Sequence, residues 1–207
     1  MKSTSGLLAL AALTVVASSA QASTLTFNFS QVYTGDTPIG VSPYSTAVFT
    51  DTAANTVEMV LTHGASASTT QYLSELALNL DPGIGSITTT AIAGKVATFQ
   101  SATVGGFTDA GTNFDFDVQF NTSNAGGGAL RLNQGDSITL RFVGTGLSTA
   151  NFNALSSGGT PVYALLHMQG TLPIGSTKLA GDPVPEPASM VILGGAVLAA
   201  VARRKRK

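Results

Sequence analysis

Asp115 and Asp117 stand in Phe114-Asp115-Phe116-Asp117-Val118-Gln119-Phe120, where apolar and polar residues alternate strictly. On a strand, residues two apart share a face, so the two carboxylates project side by side, roughly 6.5–7 Å apart at their stems. One oxygen from each could meet a Ca²⁺ ion, with Asp109 and Asn113 adding ligands, but Ca²⁺ takes six to eight oxygens. The Asp-x-Asx-x-Asx-Gly loop that usually supplies them is absent. Alternating Phe-Asp is also how a solvent-facing strand is ordinarily written, and that is the stronger reading. As acid and base for glycoside hydrolysis the pair lacks tryptophan beside it, since the chain has none.

Other chemistry is thinly represented. There are two histidines, His63 and His167. His63 precedes Gly64 at the end of an alternating run, the place of an exposed turn residue. His167 shares a strand face with Tyr163, Leu165 and Gln169, where a hydrogen-bonded sheet histidine is expected. No Gly-x-Ser-x-Gly elbow accompanies either. Gly83-Ile84-Gly85 and Gly144-Thr145-Gly146 lack the strand-turn-helix setting of phosphate loops. With no cysteine, thiol catalysis and Cys-ligated metals are excluded, and the fold must stand without disulfides. The residues therefore predict a protein that is not an enzyme, with no cofactor, no catalytic residue and at most a weak Ca²⁺ candidate at Asp115 and Asp117.

The elements that carry these residues read as all-β. Leu25, Phe27 and Phe29 alternate with polar residues in Thr24–Ser30, as do Val57, Met59 and Leu61 in Thr56–Thr62, and Ile138, Leu140 and Phe142 in Ser137–Val143. Ala47–Asp51, Leu76–Leu80, Ile87–Ala91 and Lys95–Gln100 are further strands, and Pro161 opens a last long one through Gln169. Asp81-Pro82-Gly83, Gly105-Gly106, Asn124–Gly128, Gln134-Gly135-Asp136 and Ser156–Gly159 read as turns, and Ser66–Leu73 has room for one helical turn. Short strands at this spacing predict a single antiparallel β-sandwich of two sheets, jelly-roll-like.

Both ends read as sorting segments. Lys2, the apolar run Leu7–Ala17 and the small-x-small site Ala20-Gln21-Ala22 before Ser23 form a signal peptide over residues 1–22, cut by signal peptidase. A secreted β-domain is then expected over 23–180. A Pro-rich linker with a Pro-Glu-Pro motif follows over 181–187, then a short transmembrane helix over 188–202 and a basic cytoplasmic tail over 203–207. Prolines 183, 185 and 187 hold the linker extended. The fifteen uncharged residues 188–202 would reach only about 22 Å as a helix, against a hydrocarbon core of about 30 Å. Arg203, Arg204, Lys205, Arg206 and Lys207 would keep that end cytoplasmic. Between Ser23 and Asp182 ten acids face four bases, a net charge of −6 that argues against nucleic acid as a partner.

Val184-Pro185-Glu186-Pro187-Ala188-Ser189, the apolar stretch and the basic cluster together resemble the PEP-CTERM sorting domain. The resemblance implies an outer-membrane (Gram-negative) bacterium and cleavage of the tail by an exosortase, a membrane transpeptidase. It also implies transient anchoring in the inner membrane and delivery to the cell surface or extracellular matrix. Leu76–Pro82, Phe114–Asp117 and Val162–Gly170 look like segments of the secreted β-sandwich domains that precede such tails; they carry no catalytic residues to transfer. The expected role is a structural or interaction component of an exopolysaccharide or biofilm matrix. The alternatives are a secreted glycan- or Ca²⁺-binding module and, third, a secreted hydrolase.

Overall fold

The computed structural model describes residues 22–65 and 70–184. Eleven strands make up the described chain: β1 Thr24–Gly35, β2 Ser45–Ala53, β3 Thr56–His63, β4 Tyr72–Leu78, β5 Thr88–Gly94, β6 Phe99–Asp109, β7 Thr112–Phe120, β8 Leu132–Asn133, β9 Ser137–Val143, β10 Ala164–Thr171 and β11 Gly175–Val184. All pairs are antiparallel, in the order β5-β9-β3-β2-β1-β11-β10-β4-β7-β6, with β8 paired to β4. The expected antiparallel sandwich holds, and its two layers belong to one continuous sheet. That sheet curls until the end strands β5 and β6 are joined by the short 3₁₀ turn Val96–Thr98, so the whole is a nearly closed, flattened barrel.

Alternation places the core. Phe27 and Phe29 from β1, Phe49 from β2, Val57, Met59 and Leu61 from β3, and Ile138, Leu140 and Phe142 from β9 all point inward and are fully buried. Their polar neighbours stay at the surface, where Glu58 accepts two hydrogen bonds from Arg141 across the β3–β9 pair. Phe152, from the 3₁₀ turn Thr149–Phe152, closes one end of the barrel against Phe49 and Phe142.

Several segments differ from the sequence reading. The strand through Gln169 is not the last, because β11 follows and lies between β10 and β1. Gly181–Val184, expected as linker, continues β11 and pairs with Phe29–Thr26 of β1. Beyond Gly181 the β10 pairing has stopped, so Pro183 falls where the strand has a partner on one side only, the position a residue without an N–H tolerates. Gly105-Gly106 is not a turn but a bulge inside β6. Lys95–Gln100 begins as the 3₁₀ turn before entering β6. Of the stretch with room for a helical turn, Tyr72 and Leu73 already belong to β4, and residues 66–69 lie outside the described residues.

A second apolar cluster lies on the outside of the sheet. Ala77, Leu165 and Ala180 are the outward residues of β4, β10 and β11, and they are covered by Phe114 and Val162 with Tyr33 and Phe107 around them. Segment 153–163 is tied down over them: Asn79 donates to the carbonyls of Val162 and Tyr163, and Ser156 and Val162 exchange hydrogen bonds. Asn113 forms a bridge with Ser157, and Tyr33 Oη lies 2.9 Å from Thr112 Oγ1.

Candidate functional site

The outward face of β7 leads from this cluster into a band of ionisable groups. Asp117, Glu75, His167 and Lys178 come from β7, β4, β10 and β11, strands that are neighbours in the sheet. Register aligns them: His167 pairs with both Lys178 and Glu75, while Glu75 pairs with Gln119, diagonal to Asp117. His167 Nδ1 lies 3.7 Å from Glu75 Oε2, an ion-pair distance too long for a hydrogen bond. The Lys178 ammonium is bonded to Asp109 at the end of β6.

Electrostatics divides the two carboxylates. The imidazole of His167 holds Glu75 below its ordinary value, with the Lys178 charge helping against the opposing effect of burial. Burial pushes Asp117 up, and the neighbouring Glu75 and Asp109 charges push the same way, against the hydrogen bonds from Gln119. Gln119 Nε2 donates to both Asp117 oxygens, at 2.9 and 2.8 Å. The two carboxylates, on adjacent strands and diagonal in the register, thus shift in opposite directions.

Asp115 shares the outward face with Asp117 but takes a different partner, accepting from the Leu80 backbone N–H at 3.4 Å. The residues proposed to complete a Ca²⁺ site are engaged elsewhere, Asp109 with Lys178 and Asn113 with the Thr108 hydroxyl. Among the described residues no group of three or more His, Asp or Glu is placed to hold a metal ion. The structure thus replaces Asp115–Asp117 as the notable pair with Glu75–Asp117. Sequence reasoning missed Glu75, because the two partners lie on strands that only the fold makes adjacent.

His63 corrects an expectation. It is 1% exposed rather than a surface turn residue. The chain bends back over it: Gly135 N–H donates to the His63 carbonyl and the His63 N–H donates to Asp136, while Nδ1 lies 3.3 Å from the Leu132 carbonyl. Burial lowers its pKa from 6.5 to about 4, so the ring is neutral at physiological pH and its Nδ1–H donates to that carbonyl.

At one pole of the barrel the two segments read as processing sites come together. Asp51 N–H donates to the Ser23 carbonyl, and the Ser23 hydroxyl lies 3.1 Å from Thr149 Oγ1. Thr26 pairs with Val184, the last described residue of β11. Ser23–Leu25, Thr149, Ala150, Asn153, Pro183 and Val184 surround an open cavity of about 390 Å³. Ala22 and Ser23 are thus at the threshold of β1. Ala20, Pro185, Glu186, Pro187 and Arg203–Lys207 lie outside the described residues, as do residues 1–21 of the expected signal peptide and all of the expected transmembrane helix.

A family model described as the PEP-CTERM protein-sorting motif matches residues 183–207. The chain carries a PEP-CTERM sorting motif. Its first matched residues, Pro183 and Val184, are the last of β11, so the PEP-CTERM tail issues directly from a paired strand rather than from a free linker. The motif marks the chain as an exported protein, processed by an exosortase and sorted at the membrane toward the cell surface. No curated protein and no solved structure matches.

Proposed function

We propose that the β-barrel is a non-catalytic structural or interaction component of the extracellular matrix, delivered by its PEP-CTERM tail. The observation that carries this reading is the overlap of β11 with the motif at Pro183 and Val184, where a folded, acidic body passes straight into a sorting signal. In this reading signal peptidase removes residues 1–22, the tail holds the chain transiently in the inner membrane, and exosortase cleavage releases the body toward exopolysaccharide or other matrix components. His63 fits a structural role, being enclosed and neutral.

The test is the fate of the two ends. Intact-mass measurement of surface and inner-membrane fractions should find mature protein that begins at Ser23 and lacks the basic end. Glu186→Ala should leave the full C-terminal tail in the inner membrane, and deletion of 203–207 should impair processing by removing the charges that fix orientation. Wild-type chain ending at Lys207 in the inner membrane of a strain with a working exosortase would make the tail a permanent anchor. A retained Met1 would remove the secretion step.

A further inference from the structure

In the β6–β7 ladder Val104 pairs with Phe116 and Phe107 with Phe114, so Gly105 and Gly106 together face the single residue Asp115. A two-against-one bulge bends its strand and re-aims the side chains around it. Gly105 sits at φ +149°, a conformation that other residues rarely adopt. A Cβ built on either glycine meets nothing within 4 Å. The missing side chains leave open space instead of serving a close contact.

Two grooves occupy that space and meet at the glycine pair. The larger, about 470 Å³, is lined by Glu75, Asp117, Gln119, Thr103 and Phe107. The smaller, about 290 Å³, holds Asp115 and runs between Leu80–Ile84 and Val104. Their linings fit one class of ligand. Glu75 and Asp117 line the same groove from adjacent strands, so a cation between them is attracted by both carboxylates. A bare divalent ion is poorly served, for it needs many more oxygens than these provide. An ammonium needs only three acceptors. Phe107 offers an apolar wall against which a sugar ring can pack, and Thr103 and Gln119 offer hydroxyl and amide partners for its alcohols. Two grooves that share Gly105 and Gly106, where no side chain intervenes, suit a repeating chain better than a single small molecule. The net charge of −6 between Ser23 and Asp182 favours a cationic one.

We propose that the double groove binds a linear glycan bearing free amino groups, one ammonium held by Glu75 and Asp117 and the chain crossing Gly105-Gly106 toward Asp115. This names the partner of the matrix component proposed above and rests on that reading for its setting, while the binding itself is a property of the barrel. Calorimetry on the full-length chain in mild detergent tests it without requiring any sorting. A fully deacetylated glucosamine hexamer should bind, more weakly as salt rises, and the N-acetylated hexamer should bind at least about tenfold less tightly, as expected for loss of a charge-assisted contact. Asp117→Asn should weaken the amino form by a similar factor. Gly106→Leu should block both grooves and leave the melting temperature close to wild type, because its side chain enters open space. Should that variant fail to fold, Thr103→Trp blocks the larger groove from its exposed wall. Equal binding of both hexamers, no binding at millimolar ligand, or binding indifferent to the blocking variant would overturn the proposal, and spermidine binding as tightly as the hexamer would overturn its glycan part. Correct processing in cells alongside any of these failures would leave the sorting reading intact.

Discussion

β3 and β4 lie in the same sheet and are built from similarly apolar residues, yet one alternates and the other does not. In β3, Val57, Met59, Leu61 and His63 are buried while the residues between them are partly or fully exposed. In β4 every residue but Glu75 is buried. The difference comes from what lies outside. β3 presents its outer face to water, whereas β4 is overlaid by Phe114, Val162 and the segment pinned by Asn79. The one break in this doubly covered strand, at Glu75, is where the ionisable band and the groove begin. The β3 half of the sheet is a frame; the β4 half carries the candidate site.

The largest effect expected from breaking that contrast lies in the inner core. Phe142 is fully buried, with ring centroids of Phe116 and Phe152 at 5.5 and 5.6 Å. Phe142→Ala should cost about 3–5 kcal/mol in urea unfolding, through lost burial and the cavity left behind. Phe107 packs on Phe114 at 5.8 Å but is only partly buried, so Phe107→Ala should cost only about 1–2 kcal/mol. Equal costs would make the outer cluster a second core and remove Phe107 as a groove wall.

The two histidines sharpen the comparison in the next size of effect. His63 titrates near 4 in the fold and near 6.5 when unfolded. With the folded value depressed, its stabilising contribution is complete above pH 6.5 and is lost as pH falls toward 4. That difference corresponds to about 3 kcal/mol. His63→Gln, which keeps an N–H donor and cannot charge, should flatten this part of the stability profile between pH 6.5 and 4. His167, on the outer face 3.7 Å from Glu75, is only partly enclosed. If His63→Gln retains the full acid loss, the cause lies in other groups.

The same contrast decides what could be read from the residues. β1, β3, β7 and β9 were legible because one face is wet, which forces period-two alternation. The end of β11 was not: Gly181, Asp182 and Pro183 imitate a linker, and only pairing with β1 makes them part of a strand. His63 reads as exposed because Gly64 follows it, while the Asn133–Asp136 turn that covers it is distant in sequence. The sorting motif was legible because its residue types are themselves the signal. Glu75 beside Asp117 was not, because no local spacing links residues on β4 and β7.

The smallest effect is the most specific to the site. Glu75 has a lowered pKa, so it stabilises the fold above its ordinary value of 4.5, and that contribution is lost as pH falls through the lowered one. Asp117 has a raised pKa; its contribution is complete below its ordinary value of 3.8 and is lost as pH rises through the raised one. At pH 7 the two therefore pull in opposite directions. Glu75→Gln should destabilise the barrel and Asp117→Asn should stabilise it, each by less than about 1 kcal/mol because water still reaches both groups. At pH 3 the Asp117→Asn gain should vanish, since the wild-type carboxyl is then protonated in both states. Paired denaturant curves at pH 7 and pH 3 measure both signs. A gain at pH 7 from the same substitution that weakens hexamer binding would show a carboxylate held at a cost to the fold and useful only when a cation arrives, the trade-off expected of a binding site rather than of a frame. Loss of stability from Asp117→Asn at pH 7 would instead make Asp117 part of the frame, and the contrast between the two halves of the sheet would end at β4.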